Sequence, residues 1–146
     1  MALLDFLGHL EHSGLCDFWQ IKDHDIPPMP GAYILVGKGN SHFAYPNGNS
    51  PIFYIGQSKN LRVRLREHLK YALQARDDRQ EYLYWPRYEF AAVYGGRYCF
   101  LRTWSGKKPK ALEEELLAKF AIKYLSFPIA NGSGSWKRIS EIIEGA

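Results

Sequence analysis

The sequence predicts an α+β fold. Residues 31–37 and 52–56 are short apolar runs rich in β-branched and aromatic side chains, which is typical of buried strands. Other segments carry apolar residues at intervals of three and four, the spacing of a helix that buries one face. In chain order the predicted elements read α-β-β-α-β-β-α, so helices and strands are mixed along the chain. The chain has 146 residues, of which 46% are hydrophobic, and this favours one domain over residues 1–146 with a core of its own.

The N-terminal part is predicted to form one helix and two strands. Four leucines at helical spacing indicate a helix that ends near Gly14, namely Leu3, Leu4, Leu7 and Leu10. Three prolines then force an extended chain, at positions 27, 28 and 30. The strand 31–37 is followed by a long loop, 38–51, that is dense in Gly, Asn, Ser and Pro, and then by the strand 52–56.

The C-terminal part is predicted to form a helix, a hairpin and a second helix. Ser58 is expected to cap a helix that continues to about Arg76, with an apolar stripe at Leu61, Leu65, Leu69, Ala72 and Leu73. The pair Gly95-Gly96 suits a two-residue turn between strands 87–94 and 97–104. Pro109 lies near the first turn of a helix over 111–125, and a final turn is expected at 139–143.

Composition narrows the classes of partner and compartment. The net charge of +4 favours polyanionic partners, although many unrelated proteins share such an excess. The only cysteines, Cys16 and Cys99, show neither disulfide nor zinc-site spacing, so we expect a cytoplasmic protein. The apolar runs are far shorter than the roughly 18 residues that a membrane helix needs, so no membrane association is expected.

One acidic residue is anomalous on the last predicted helix. Helical spacing places Glu113 in the middle of an apolar face formed by Leu112, Leu116, Leu117, Phe120, Ala121 and Tyr124. A carboxylate on such a face needs a cation, hydrogen-bond donors or a metal ion to stay charged. The alternative is that Glu113, close to the start of the helix, only interacts with the helix dipole and the first-turn amides.

The middle helix carries two sets of polar residues. Arg64 and His68 are four residues apart along one margin of the leucine stripe, where a surface ion pair and a packed histidine are the first expectation and a cleft that both residues face is the alternative. Along the other margin lie Arg62, Arg66 and Lys70. They are expected to form a solvated basic face, and such a face is suited to contact phosphates. Tyr33, Tyr54 and Asn131, each taken alone, read as structural residues.

Taken together, these positions resemble the motifs of the GIY-YIG nuclease family. The matching segments are Pro30-Gly31-Ala32-Tyr33, Tyr54-Ile55-Gly56, residues 57–65 with His68, Leu112-Glu113 with Leu116-Leu117, and residues 128–131. Five motifs in the same order are far more specific than either tripeptide alone. The segment 26–30 is also similar to the entry to the nuclease domain of bacterial excision-repair endonucleases.

The resemblance implies a fold and an activity. The implied fold is a small antiparallel sheet of three to four strands flanked by helices, with a core at about 26–131 and additions at 1–25 and 132–146. The implied activity is that of an endonuclease that hydrolyses phosphodiester bonds in DNA with a divalent metal, Mg²⁺ or Mn²⁺. Carried over by position, the catalytic residues are Tyr33, Tyr54, Arg64, His68, Glu113 and Asn131, with Glu113 as the metal ligand.

The expected partner is nucleic acid, and double-stranded DNA is the kind expected before any other. Lys107, Lys108 and Lys110 precede Glu113 and are expected to hold a DNA backbone near the metal, the alternative being a basic loop that caps a strand. A homodimer or a larger complex is compatible with the sequence. Two other functions stay open: a structure- or damage-specific nuclease subunit of a repair or defence system, and a non-catalytic module that binds nucleic acid.

Three departures from the family pattern stand out. Ala32 replaces the family's isoleucine, and 20 residues separate Tyr33 from Tyr54, which predicts an inserted loop. The strand 87–94 is expected to be an addition to the family sheet. None of these departures removes a candidate catalytic side chain.

Overall fold

A four-stranded antiparallel sheet forms the centre of the protein. The computed structural model describes residues 2–77, 85–103, 107–131 and 136–145. The strands are β1 (Cys16–Asp17), β2 (Gly31–Gly37), β3 (Phe43–Tyr45), β4 (Gly48–Ser50), β5 (Ile52–Ser58) and β6 (Gly95–Arg102). The main sheet has the order β1-β6-β2-β5, and β3 pairs with β4 in a separate two-stranded sheet.

The helices flank this sheet. The α-helices are α1 (Leu61–Asp77), α2 (Pro86–Tyr94), α3 (Pro109–Tyr124) and α4 (Trp136–Glu144), and short 3-10 helices span Ala2–Leu7, Phe18–Gln20, Asp23–Asp25 and Ile129–Asn131. This arrangement confirms the predicted α+β class and the small antiparallel sheet flanked by helices. Within the described residues, every helix is too short or too polar to cross a lipid bilayer.

Strand β2 separates two apolar cores. Its side chains alternate, so that Ile34 and Val36 pack with α3 on one face, while Tyr33 and Leu35 pack with residues of α1 and α2 on the other. All seven residues of β2 are buried, because it lies between β5 and β6 and is covered on both faces. The candidate tyrosine of this strand therefore lies in the core beneath α1 and α2.

The predicted strand 87–94 is wrong, because these residues form the helix α2. Pro86 occupies the first turn, where its missing N–H costs nothing, and Tyr88, Ala91 and Ala92 follow the spacing of a buried helical face. Gly95 directly follows the helix and opens β6, and a Cβ there would lie 2.5 Å from the carbonyl oxygen of Ala91. Gly95-Gly96 is thus a close helix-to-strand junction and not a hairpin turn.

The other predicted strand and the last helix are confirmed with shifted ends. Strand β6 covers most of the predicted range 97–104, and Trp104 lies outside the described residues. Helix α3 buries all six apolar residues that define its predicted inward face. It ends at Tyr124, and Leu125 caps it in the left-handed conformation with φ 59°. The predicted final turn at 139–143 is part of the longer helix α4.

The N-terminal helix and the start of α1 also differ from their predictions. The N-terminal helix is a 3-10 helix that ends at Leu7, well before Gly14, and Gly8 follows it with φ 62°. The residue that caps α1 is Asn60 and not Ser58, since Asn60 Oδ1 accepts a hydrogen bond of 3.2 Å from the amide of Val63. The loop 38–51 contains the small sheet of β3 and β4.

Candidate active site

Four of the six predicted catalytic residues meet on the α1 face of the sheet. Tyr33 comes from β2, Tyr54 from β5, and Arg64 and His68 from successive turns of α1. The ring centroids of Tyr33 and Tyr54 are 6.0 Å apart, and that of His68 lies 5.3 Å from Tyr33 and 5.4 Å from Tyr54. We call these four residues the Tyr33 cluster.

Strand register brings the two tyrosines together. Tyr33 pairs with Gly56, and Tyr54 precedes that glycine by two residues on the same strand, so the tyrosines are diagonal cross-strand neighbours. The Tyr33 ring lies across Gly56, where a Cβ would come within 2.5 Å of both Cζ and the hydroxyl oxygen of Tyr33. The glycine of the second motif therefore makes room for the tyrosine of the first.

Tyr33 is a buried phenol without a hydrogen-bond partner. Its hydroxyl has no solvent contact, and no group of the described residues meets hydrogen-bond geometry with it. Burial, together with the neighbouring phenol of Tyr54, raises the pKa of Tyr33 well above its ordinary value, while the Arg64 guanidinium opposes this shift. Tyr33 is therefore protonated at neutral pH in this structure.

His68 is surrounded by aromatic rings. Besides the two tyrosines of the cluster, Tyr88 of α2 packs on it edge-on at 5.0 Å. Both ring nitrogens are buried, and neither has a hydrogen-bond partner in the part of the chain that the structure describes. Burial and the nearby charges of Arg64 and Arg87 lower the pKa of His68 well below its ordinary value. The imidazole is therefore neutral at pH 7.

Arg64 is the cation of the cluster. Its Nη1 donates hydrogen bonds of 2.6 Å to Glu67 Oε1 and 3.0 Å to the hydroxyl oxygen of Tyr88. Burial opposes its charge, but the phenols of Tyr33 and Tyr88 outweigh this effect, and the pKa of Arg64 is raised above its ordinary value. Its side chain is 19% exposed, so the charge lies at the boundary between the cluster and solvent.

Asn131 supports the cluster through the backbone. Its Oδ1 accepts a 2.9 Å hydrogen bond from the amide of Ile55, and its Nδ2 donates one of 2.7 Å to the carbonyl oxygen of the same residue. Ile55 lies between Tyr54 and Gly56. The side-chain amide of Asn131 therefore ties the 3-10 helix Ile129–Asn131 to the strand segment that shapes the cluster.

Glu113 lies half-buried near the start of α3, the helix that packs on the other face of the sheet. Burial and the neighbouring Glu114 raise its pKa, and Arg138 and Lys110 oppose the shift. None of the contacts found among the described residues joins Glu113 to the Tyr33 cluster. Among the described residues, no group of three or more His, Cys, Asp and Glu side chains lies close enough together to hold a metal ion.

The predicted nucleic-acid contacts differ in how accessible they are. Arg66, Lys70, Lys108 and Lys110 are exposed. Arg62 is half-buried and its Nε donates a 2.8 Å hydrogen bond to the carbonyl oxygen of Ile26. Lys107, also half-buried, forms an ion pair of 3.3 Å with Glu115. Because a phosphate must reach these side chains from solvent, the four exposed cations are the better candidates for phosphate contacts.

Tyr88 belongs to this region although the sequence did not predict it as a site residue. The prediction of a strand over 87–94 placed it on a sheet, whereas α2 brings its hydroxyl to Arg64 and its ring to His68. The signal was present in the spacing of Tyr88, Ala91 and Ala92 after Pro86, which favours a helix.

Comparisons of the chain with protein-family models, with curated proteins and with solved structures found no match.

Proposed function

We propose that the protein is a divalent-metal-dependent endonuclease that hydrolyses phosphodiester bonds in DNA. The observation that carries the proposal is the convergence of Tyr33, Tyr54, Arg64 and His68, residues from three separate elements, at one buried cluster. The ordered motifs that resemble GIY-YIG nucleases supply the reaction class. Cysteine usage supports a cytoplasmic location, and the reaction is compatible with a monomer, a homodimer or a larger complex.

Arg64 is suited to contact the reacting phosphate. The transition state of phosphodiester hydrolysis carries extra negative charge, and a planar guanidinium presents two parallel donors to phosphate oxygens. Its present anionic partner, Glu67, has a side chain that is 42% exposed, so a phosphate approaching from solvent meets this ion pair first. We propose that the phosphate takes the place of the Glu67 carboxylate.

Tyr33 is the proposed proton acceptor for the attacking water. As a buried phenol with a raised pKa, Tyr33 is a poor base. Binding of the substrate must therefore admit water to the site and place Arg64 where its charge stabilises the phenolate. His68 is neutral and adds no positive charge that would favour the phenolate, so Arg64 is the cation that lowers the pKa of Tyr33. The cleavage rate is therefore expected to rise with pH through the neutral range.

Glu113 is the proposed ligand of Mg²⁺ or Mn²⁺. Its raised pKa indicates that the neighbouring cations do not compensate its charge, so a divalent ion would stabilise the carboxylate. Mg²⁺ keeps several waters and is often held by only one or two carboxylates together with substrate phosphates, which suits a site with a single protein carboxylate. Because Glu113 has no observed contact with the Tyr33 cluster among the described residues, this role requires a bound DNA strand that reaches both places; such an ion would then supply charge stabilisation at the leaving oxygen.

Exposed cations are the proposed contacts to the DNA backbone. Arg66 and Lys70 extend along the outer surface of α1, the helix that carries Arg64, and Lys108 and Lys110 lie at the start of α3 near Glu113. Each phosphate contact of this kind adds affinity that is independent of sequence and falls with salt. Arg62 and Lys107 stay in the proposed set as weaker members.

A variant pair tests the metal role. We expect Glu113→Gln to lower the nicking of supercoiled plasmid in Mg²⁺ or Mn²⁺ about 100-fold or more, because a Lewis acid supplies several kcal/mol of transition-state stabilisation. Glu114→Gln, on the exposed neighbour, is the matched control and should cut like the wild type. EDTA should stop cleavage by the wild type and by Glu114→Gln. Equal activity of the two variants would refute the role of Glu113.

A second candidate function is a module that binds nucleic acid without cutting it. The complete burial of the Tyr33 hydroxyl and of both His68 nitrogens favours this alternative. Linear, branched and single-stranded substrates, each tested with Mg²⁺ and Mn²⁺, separate the two functions. Binding without cleavage on every substrate would support the module.

A further inference from the structure

Tyr88 connects α2 to two members of the Tyr33 cluster. Its hydroxyl oxygen accepts the 3.0 Å hydrogen bond from Arg64, and its ring centroid lies 5.0 Å from that of His68. The Arg64 guanidinium carbon also lies 5.9 Å from the centroid of the Tyr88 ring. Tyr88 itself is 5% exposed, so these contacts are made in a packed environment.

The two partners of Arg64 constrain it differently. Glu67 is on the same helix, three residues further along, and its partly exposed side chain competes with water. Tyr88 is on a separate helix, and its position is set by packing against His68 and against Tyr71, whose ring centroid is also 5.0 Å away. A hydrogen bond to a fixed acceptor limits the rotamers of a long arginine far more than an ion pair at the surface.

We infer that Tyr88 is a positioning residue for the proposed cleavage reaction, whose hydroxyl holds Arg64 beside Tyr33 while its ring closes on His68. This role rests on the proposed function, since it acts through Arg64 on the same reacting phosphate. When a phosphate displaces Glu67, Tyr88 stays as the protein acceptor that keeps the guanidinium directed into the cluster.

The test compares Tyr88→Phe with Tyr94→Phe, a matched variant on the same helix at a 40% exposed position. Loss of the Tyr88 hydroxyl should lower kcat for plasmid nicking about tenfold, with little change in KM, because misplaced catalytic groups cost rate and not binding. The pH–rate profile should also move to higher pH, since Arg64 lowers the pKa of Tyr33 and would do so less when displaced. Tyr94→Phe should match the wild type in both respects.

Tyr88→His provides a second variant. Its ring nitrogen can accept the hydrogen bond from Arg64, so we expect partial recovery of kcat relative to Tyr88→Phe. Thermal unfolding of all variants is measured alongside. If both Tyr88 variants are unfolded at the assay temperature while the wild type cuts, Tyr88 serves stability only and the inference fails.

The remaining outcomes are equally decisive. Wild-type rates in Tyr88→Phe, or a lower rate without any shift in the pH profile, would overturn the inference while the proposed nuclease function stands. Failure of the wild type to cut any substrate would remove the proposed function, and the positioning role with it.

Discussion

Gly56 sets how closely the two tyrosines of the candidate site can approach. The Tyr33 ring occupies the space above this glycine, and the Tyr54 ring edge lies 2.8 Å from the position of a Cβ there. Neither tyrosine can move aside easily, because Tyr33 is fully buried and Tyr54 nearly so. The requirement for glycine is therefore steric.

We expect Gly56→Ala to destabilise the protein by about 2 kcal/mol, the usual cost of overpacking a core, and to displace both tyrosines. Denaturant unfolding measures the stability, and near-ultraviolet circular dichroism follows the tyrosine environment. Gln57→Ala, at the next position of β5, controls for a change of the strand itself. A Gly56→Ala protein as stable as the wild type would show that the rings are free to shift.

Spacing along one helix was enough to predict that Arg64 and His68 are neighbours. It did not predict that both nitrogens of His68 lack partners among the described residues, or that a third tyrosine packs on its ring. These properties come from β2, β5 and α2, whose distances to α1 are not encoded in the helical repeat. Residue identity predicts the chemistry, and packing sets the protonation state.

At the scale of elements, Asn131 attaches the 3-10 helix Ile129–Asn131 to β5. Both of its hydrogen bonds go to the backbone of Ile55, a buried residue. The family resemblance implied a catalytic asparagine at this position. Its observed contacts indicate that it fixes the backbone of Ile55, between Tyr54 and Gly56, to the 3-10 helix.

Asn131→Ala should lower the free energy of unfolding by about 3 kcal/mol, because two buried backbone groups lose their partners. Asn47→Ala is the matched control: it removes one exposed hydrogen bond of 2.9 Å to the carbonyl oxygen of Lys123. It should cost less than about 1 kcal/mol. Chemical denaturation of both variants measures the difference, and equal costs would contradict the anchoring role.

Helix α2 shows where local patterns fail. Residues 87–94 are rich in aromatic side chains with high strand propensity, and a short apolar run fits either a strand or a buried helix. Packing against α1 decides for the helix, since Ala91 lies in the apolar core between α1 and the sheet and Tyr88 packs on the ring of His68. The same packing brings Tyr88 to Arg64, so the wrong strand prediction and the missed site residue have one cause.

At the scale of the whole molecule, the burial of His68 links stability to pH. The residue faces the charges of Arg64 and Arg87 and the rings of Tyr33, Tyr54 and Tyr88. Its pKa is lower in the folded chain than the usual unfolded value of about 6.5. Between these two pKa values the unfolded chain binds more protons than the folded chain, so the folded state becomes more stable as the pH rises.

The contribution of His68 to stability should be complete above about pH 6.5 and be lost as the pH falls below it, by at most about 1.4 kcal/mol per pH unit. Thermal unfolding between pH 7.5 and 5 measures this decline. His68→Phe keeps a ring in the cluster and should flatten the profile, whereas His42→Gln, at an exposed position, should leave it unchanged. Identical slopes in wild type and His68→Phe would contradict the link.

Some features of this protein follow from the order of its residues alone. Apolar spacing was enough to predict β2, β5, α1 and α3, because this signal lies within single turns or strands. The motifs named the four residues of the Tyr33 cluster together with Glu113 and Asn131, which lie outside it. The tertiary structure decided the rest: the helical state of α2, the burial of Tyr33 and His68, and the contact of Tyr88 with Arg64. Those outcomes depend on which elements pack together, and free energies of burial between residues far apart in the chain are not contained in any local pattern.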